Sequence, residues 1–245
     1  MYNQYHKEYS HHLGYDMEFE VFGHAGTPLL VFPPQGSHFY EWKNRGMIDT
    51  LRPFIDSGRI RVFCADSNDA ETVDDVHRDP LHAAWRLECY HRYITEELVP
   101  RIKDYTQSDA GPITTGASMG ATHAANMYLR RPDLFSGVLA ISGIYDSRFF
   151  FGEAGGEYAY KNSPVQFLAD MAWDHPWLDY YRGGKISFVI GQGAWEDDLL
   201  PSNRRLRDLF SEKQVPVWFD FWGHDVDHDW PWWHKMLPHF LKEMV

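Results

Sequence analysis

Apolar positions along the chain follow two periods in turn. Tyr15–Phe22 alternates in strand fashion, and residues 28–32 (Pro-Leu-Leu-Val-Phe) form a short apolar run ending at Pro33-Pro34-Gln35-Gly36. Residues 59–65 read as a further strand. From 80 to 105 the period becomes helical: Leu81, Trp85, Cys89 and Tyr93 recur every four residues, as do Ile94, Leu98 and Ile102. Pro100, lacking an N–H, predicts a kink or break there. A brief strand over 112–115 precedes a helix over 122–130. Residues 138–142 and 186–190 are apolar, β-rich runs of the kind buried in parallel sheets. A helix over 202–213, a strand over 215–222 and a helix over 230–244 complete the chain. The last helix is marked at its start by Asp229 as N-cap and Pro231 in the first turn, with Trp232, Met236 and Phe240 at helical spacing.

Strands alternating with helices predict an α/β fold, a mostly parallel central sheet with helices on both faces. No repeat or low-complexity linker interrupts the chain, so residues 1–245 read as one domain. The stretch 146–184 breaks the rhythm. It is rich in aromatics and glycine, with Phe149-Phe150-Phe151-Gly152, Trp173, Trp177, Tyr180 and Tyr181. It reads as a small insertion over the top of the sheet that contributes to a substrate pocket, in place of a large lid.

Composition narrows the function. The net charge of −12 and the absence of a Lys/Arg stripe argue against nucleic acid as a partner. No apolar stretch reaches membrane-spanning length, and no basic-then-apolar leader opens the chain, so a cytoplasmic protein without a membrane partner is expected. Cys64 and Cys89 read as reduced structural thiols. The aromatic share of 16%, including 10 Trp, suits an apolar cleft as well as a core.

The chemistry centres on Thr115-Gly116-Ala117-Ser118-Met119-Gly120-Ala121, a G-x-S-x-G run between an apolar strand and a helix. That setting is what a nucleophile elbow requires: a sharp turn exposes the hydroxyl at the carboxyl edge of the sheet, and small neighbours let the backbones pass closely. An alcohol needs a base, and the base needs an orienting acid. The acid should follow a late strand, where Glu196, Asp197 and Asp198 stand in a row. The base should follow the next strand, where His224 and His228 compete. The backbone N–H of Met119 supplies one oxyanion donor, and Gln35 or Gly36 the second, since Pro33 and Pro34 have none.

These residues resemble the esterase family that includes esterase D, S-formylglutathione hydrolase, feruloyl esterase domains and the mycolyltransferases. The resemblance spans most of the chain and rests on Gly116-Ala117-Ser118-Met119-Gly120, on 197–204 leading into a helix, and on His228-Asp229-Trp230-Pro231-Trp232-Trp233. It implies an α/β-hydrolase fold and acyl-ester chemistry on a small-molecule ester, without cofactor or metal. It also implies Asp197 as the acid, through its spacing to Asn203-Arg204, and His228 as the base. Where such enzymes carry His-Gly after the oxyanion strand, this chain has Pro33-Pro34-Gln35-Gly36, and Gln35 is taken as the second donor. The expected function is a serine carboxylic ester hydrolase for small or aryl esters. The alternatives are an acyltransferase using the same acyl-enzyme, a metal-dependent hydrolase built on His224, Asp225, Asp227 and His228, and a non-catalytic binding protein.

Overall fold

Eight strands form one sheet in the order β1-β2-β4-β3-β5-β6-β7-β8 in the computed structural model, which describes residues 2–74 and 77–245. The strands are β1 Asn3–Ser10, β2 Tyr15–Phe22, β3 Thr27–Phe32, β4 Ile60–Ala65, β5 Ile113–Ala117, β6 Gly137–Ile141, β7 Lys185–Ile190 and β8 Trp218–Phe221. The β1–β2 and β2–β4 pairings are antiparallel, and β4 onward the sheet is parallel. This is the α/β-hydrolase fold.

Strand alternation divides the core between the two faces. Leu30 and Phe32 of β3, Phe63 and Ala65 of β4, Val138 and Ala140 of β6, and Ile186 and Phe188 of β7 face one side. There they meet helices Pro80–Arg92, Met119–Arg130 and Leu200–Glu212. Leu29, Val31, Val62, Cys64, Leu139, Ile141 and Val189 face the other. That side is covered by the short helices between Glu41 and Asp56 and by the C-terminal helix Trp230–Leu241. Both faces being buried explains why these strands read as continuous apolar runs.

Four local features differ from expectation. The edge strand β1 lacks an apolar face, and seven of its eight residues are exposed or half-buried, so it carries no hydrophobic signal. Pro100 does not break its helix: helical segments Pro80–Arg92 and Val99–Thr106 join through a wider π-helical turn at Tyr93–Leu98, which accommodates the missing N–H. β8 covers only Trp218–Phe221, because Val215–Val217 approach the sheet without pairing in it. The insertion is itself helical, with Arg148–Phe151, Gly156–Lys161, Pro164–Asp170 and Trp177–Gly183. It thickens one helical layer, burying Phe151, Leu168, Leu178 and Tyr181 in the same core as Tyr128 and Phe210. Among the described residues no helix is long and apolar enough to cross a membrane.

Candidate active site

The turn from β5 into the helix Met119–Arg130 holds Ser118 at φ 57°, ψ −127°, a conformation that strains any residue with a side chain. Two close approaches make this turn possible. A Cβ on Gly116 would lie 2.3 Å from the carbonyl carbon of Gly120, and a Cβ on Gly120 would lie 2.2 Å from the carbonyl oxygen of Phe32. Neither neighbour is a flexible side-chain tip, so only glycine fits at either position. The Ser118 N–H is tied to the Ile141 carbonyl across the sheet at 3.0 Å, which anchors the strained residue at the carboxyl edge.

His228 meets Ser118 there. Its Nε2 lies 2.9 Å from Ser118 Oγ, and its Nδ1 lies 3.1 Å from Glu196 Oε2. A carboxylate can only accept, so Nδ1 carries the proton and Nε2 is free to accept from the serine hydroxyl. The imidazole also meets the ring of Trp233 edge-on, at 5.0 Å between centroids. Two loops are stitched together to hold this geometry. Gly193 N–H donates to Val226 O at 2.9 Å, Ala194 N–H to Asp227 Oδ1 at 2.8 Å, and His228 N–H to Ala194 O at 3.0 Å. Asp229 then accepts from Trp230 N–H at 2.7 Å, capping the C-terminal helix one residue after the histidine.

The acid facing His228 is Glu196, not Asp197. The reason lies one residue earlier. Trp195 adopts φ 68°, a left-handed conformation that reverses the chain. It leaves the indole 85% exposed and turns Glu196 inward, fully buried, while Asp197 and Asp198 stay exposed. Glu196 Oε1 accepts from Ser142 Oγ at 2.5 Å and from Gly191 N–H at 3.3 Å, so both carboxylate oxygens are engaged. Ser142, at the end of β6, has no signature in sequence that links it to an acid 54 residues away.

His224 is exposed, with Nδ1 3.2 Å from Gln192 O, and belongs to the stitching of the loop. The ligand-rich run 224–228 is thus dispersed: His224 faces a carbonyl, Asp227 accepts a backbone N–H, and His228 turns to Ser118. No group of three or more His, Cys, Asp or Glu among the described residues is placed to share a metal ion.

Of the two candidates for the second donor after β3, one is already committed. Gly36 N–H donates to Asp69 Oδ2 at 3.2 Å, whereas Gln35 is exposed. Met119 opens the elbow helix, where the first N–H groups have no acceptor in the helix itself. Along the start of the helix Leu200–Glu212 lies a cavity of about 810 Å³. Its lining mixes the apolar Ile144, Phe149 and Val165 with the charged Asp146, Arg148, Asp170, Asp198 and Arg205, and Ser118, Glu196 and His228 are not part of it.

The family described as "Putative esterase" matches residues 56–244. The chain belongs to that family. That membership places it among the esterases. Among solved structures it is similar to a ferulic acid esterase, at 19% identity and a TM-score of 0.75, over 97% of this chain and 95% of that one. It is also similar to the S-formylglutathione hydrolase FrmB of Staphylococcus aureus, at 16% identity and a TM-score of 0.74, over 99% and 98% of the two chains. MPT51 (FbpC1) of Mycobacterium tuberculosis aligns over 98% and 97%, at 13% identity and a TM-score of 0.68. No curated protein sequence matches this one.

Proposed function

We propose that the chain hydrolyses small or aryl carboxylic esters through an acyl-enzyme on Ser118, with His228 as base and Glu196 as its orienting acid. The observation that carries this reading is the unbroken line Ser118 Oγ, His228, Glu196, at 2.9 Å and 3.1 Å, ending on a buried carboxylate. His228 Nε2 takes the hydroxyl proton as Oγ attacks the ester carbonyl, and Glu196 stabilises the imidazolium that forms. The N–H groups of Met119 and Gln35 receive the oxyanion. Collapse of the tetrahedral adduct returns the proton to the leaving alkoxide, and the alcohol departs. Water then repeats the sequence on the acyl carbon and frees Ser118 and the acid product.

The insertion residues Phe149, Tyr160 and Val165, which border a cavity shared with the charged Arg148 and Asp198, support an acyl or alcohol group of modest size, with the insertion forming one wall. Cys64 and Cys89 are both free and buried, in keeping with a reducing compartment such as the cytoplasm. The net charge of −12 disfavours nucleic acid as a partner.

Fluorophosphonate labelling tests the reading, because it modifies activated serines and leaves ordinary ones alone. The wild-type protein should be labelled at Ser118, and the Ser118→Ala and His228→Ala variants should not. Equal labelling of folded Ser118→Ala would overturn the proposal.

A further inference from the structure

Outside the residues that touch the ester, one buried polar pair spans the two segments that must supply the oxyanion donors. Asp69 follows β4 in a single tight turn, Asp69–Glu71, and His123 lies just over one turn into the elbow helix. Both side chains are 1% exposed, and His123 Nε2 lies 3.0 Å from Asp69 Oδ1. The other carboxylate oxygen, Oδ2, accepts the Gly36 N–H. A single carboxylate therefore holds the loop after β3 on one side and the elbow helix on the other. The histidine is wedged in turn between the rings of Tyr90, at 5.2 Å and 61°, and Phe32, at 6.1 Å. Phe32 is the last residue of β3, and its carbonyl is what a Cβ on Gly120 would strike.

The far half of the same loop is held in the same way. Asp66, three residues before Asp69, accepts from Phe39 N–H at 3.2 Å and lies 3.0 Å from His38 Nδ1. Tyr90 OH donates to the Asp66 carbonyl at 2.7 Å, joining the two clamps. Burying two ionisable side chains is costly unless each serves a partner, and satisfying each other would require only one carboxylate oxygen. The second oxygen is spent on the one N–H whose capture leaves Gln35 as the donor.

We infer that Asp69 and His123 are positioning residues that fix the oxyanion loop against the elbow helix, so that the Gln35 and Met119 N–H groups converge on one point. Neither touches substrate. Gly36 is the hinge between them and the donor: with φ at +64° it turns the chain so that its own N–H points to Asp69 while its neighbour is left exposed. An oxyanion donor is useful only where the charge develops, and a displacement of the order of 1 Å is enough to forfeit much of its effect.

The inference rests on the serine-esterase mechanism proposed above, and the two can fail separately. Trifluoroacetophenone is the probe: a serine nucleophile adds to its ketone and leaves an oxyanion in the hole, visible by ¹⁹F NMR. Asp69→Leu removes both hydrogen bonds at similar volume. It should lower kcat/KM for p-nitrophenyl acetate by about 10- to 100-fold. Affinity for the ketone should fall in parallel, with KM little changed. Asp69→Asn keeps an acceptor for Gly36 and a polar contact for His123, and should restore most of both quantities. If Asp69→Leu does not fold, His123→Phe keeps the ring packing while releasing Asp69, and should show the same parallel loss at smaller amplitude. A folded variant that melts earlier but keeps kcat/KM and ketone affinity within twofold of wild type would overturn the inference. So would a loss confined to KM. Failure of wild-type protein to form the ketone adduct, or full activity of Ser118→Ala, would instead overturn the mechanism on which it rests.

Discussion

Exchanging the acid for its amide separates Glu196 from its neighbour in sequence. In Glu196→Gln the side chain keeps its length and stays buried. Its amide oxygen can still accept from Ser142 Oγ and Gly191 N–H, as Oε1 does now. The amide nitrogen then faces His228 Nδ1, where a donor replaces an acceptor. The imidazole must accept at Nδ1 and carry its proton on Nε2, toward Ser118, which is the tautomer that cannot deprotonate the nucleophile. The anion facing the developing imidazolium is lost as well. Loss of an orienting carboxylate in this geometry lowers kcat by about ten-thousandfold, or roughly 5 kcal/mol of transition-state stabilisation. KM should hardly move, since the change touches no substrate-binding group. Asp197→Asn, at an exposed position, should stay within about twofold of wild type, as surface changes usually do. Steady-state hydrolysis of p-nitrophenyl acetate reads both, with circular dichroism confirming that each variant is folded. A crippled Asp197→Asn beside an active Glu196→Gln would refute the assignment of the acid.

Three further outcomes follow from the same geometry. His228→Ala should abolish turnover and fluorophosphonate labelling, whereas His224→Ala should retain labelling, because His224 contacts only the Gln192 carbonyl; the reverse pattern would exchange their roles. Across a p-nitrophenyl ester series, kcat/KM should be highest for short or aromatic acyl groups, and a steady rise through long chains would contradict the cavity bordered by Phe149 and Asp198 as the acyl or alcohol site. Burial and the nearby Arg130, Arg131 and Arg92 hold His91 well below its ordinary value of 6.5, so it protonates more readily in the unfolded chain. Its contribution to stability is therefore fully present above about pH 6.5 and is lost below that, by up to about 1.4 kcal/mol per pH unit. Its Nε2 has no hydrogen-bond partner, so His91→Leu should flatten the fall in melting temperature between about pH 7 and pH 5. An unchanged pH profile would show that His91 titrates normally in the fold.

The order of strands and helices was legible because the sheet is buried on both faces, so β3, β6 and β7 stand out as apolar runs. Edge strand β1 was not, since a mostly solvated hairpin strand needs no hydrophobic pattern and is set by pairing with β2. Ser118, Met119 and His228 could be singled out as candidates because their positions are tied to local punctuation, a G-x-S-x-G turn and a capped helix start. Glu196 rather than the expected Asp197 faces His228 because the arrangement depends on one backbone angle at Trp195, and nothing in a run of three carboxylates encodes which of them turns inward. Asp69 and His123, 54 residues apart, meet only through the packing of the elbow helix beneath the loop after β3. The cluster Asp66-Ser67-Asn68-Asp69 at the end of β4 is the sole hint of that role in the sequence.

The central claim is that Ser118 carries the acyl group, and trapping that intermediate tests it most directly. Protein mixed with excess p-nitrophenyl acetate, quenched in acid within the first turnovers and digested, should show one acetyl group on the peptide containing Ser118. A burst of p-nitrophenolate equal to the enzyme concentration should accompany it wherever deacylation is the slower step. In Ser118→Ala both should vanish, with turnover reduced by about a millionfold. Acetylation of a different residue, or hydrolysis by Ser118→Ala at even a tenth of the wild-type rate, would contradict the account.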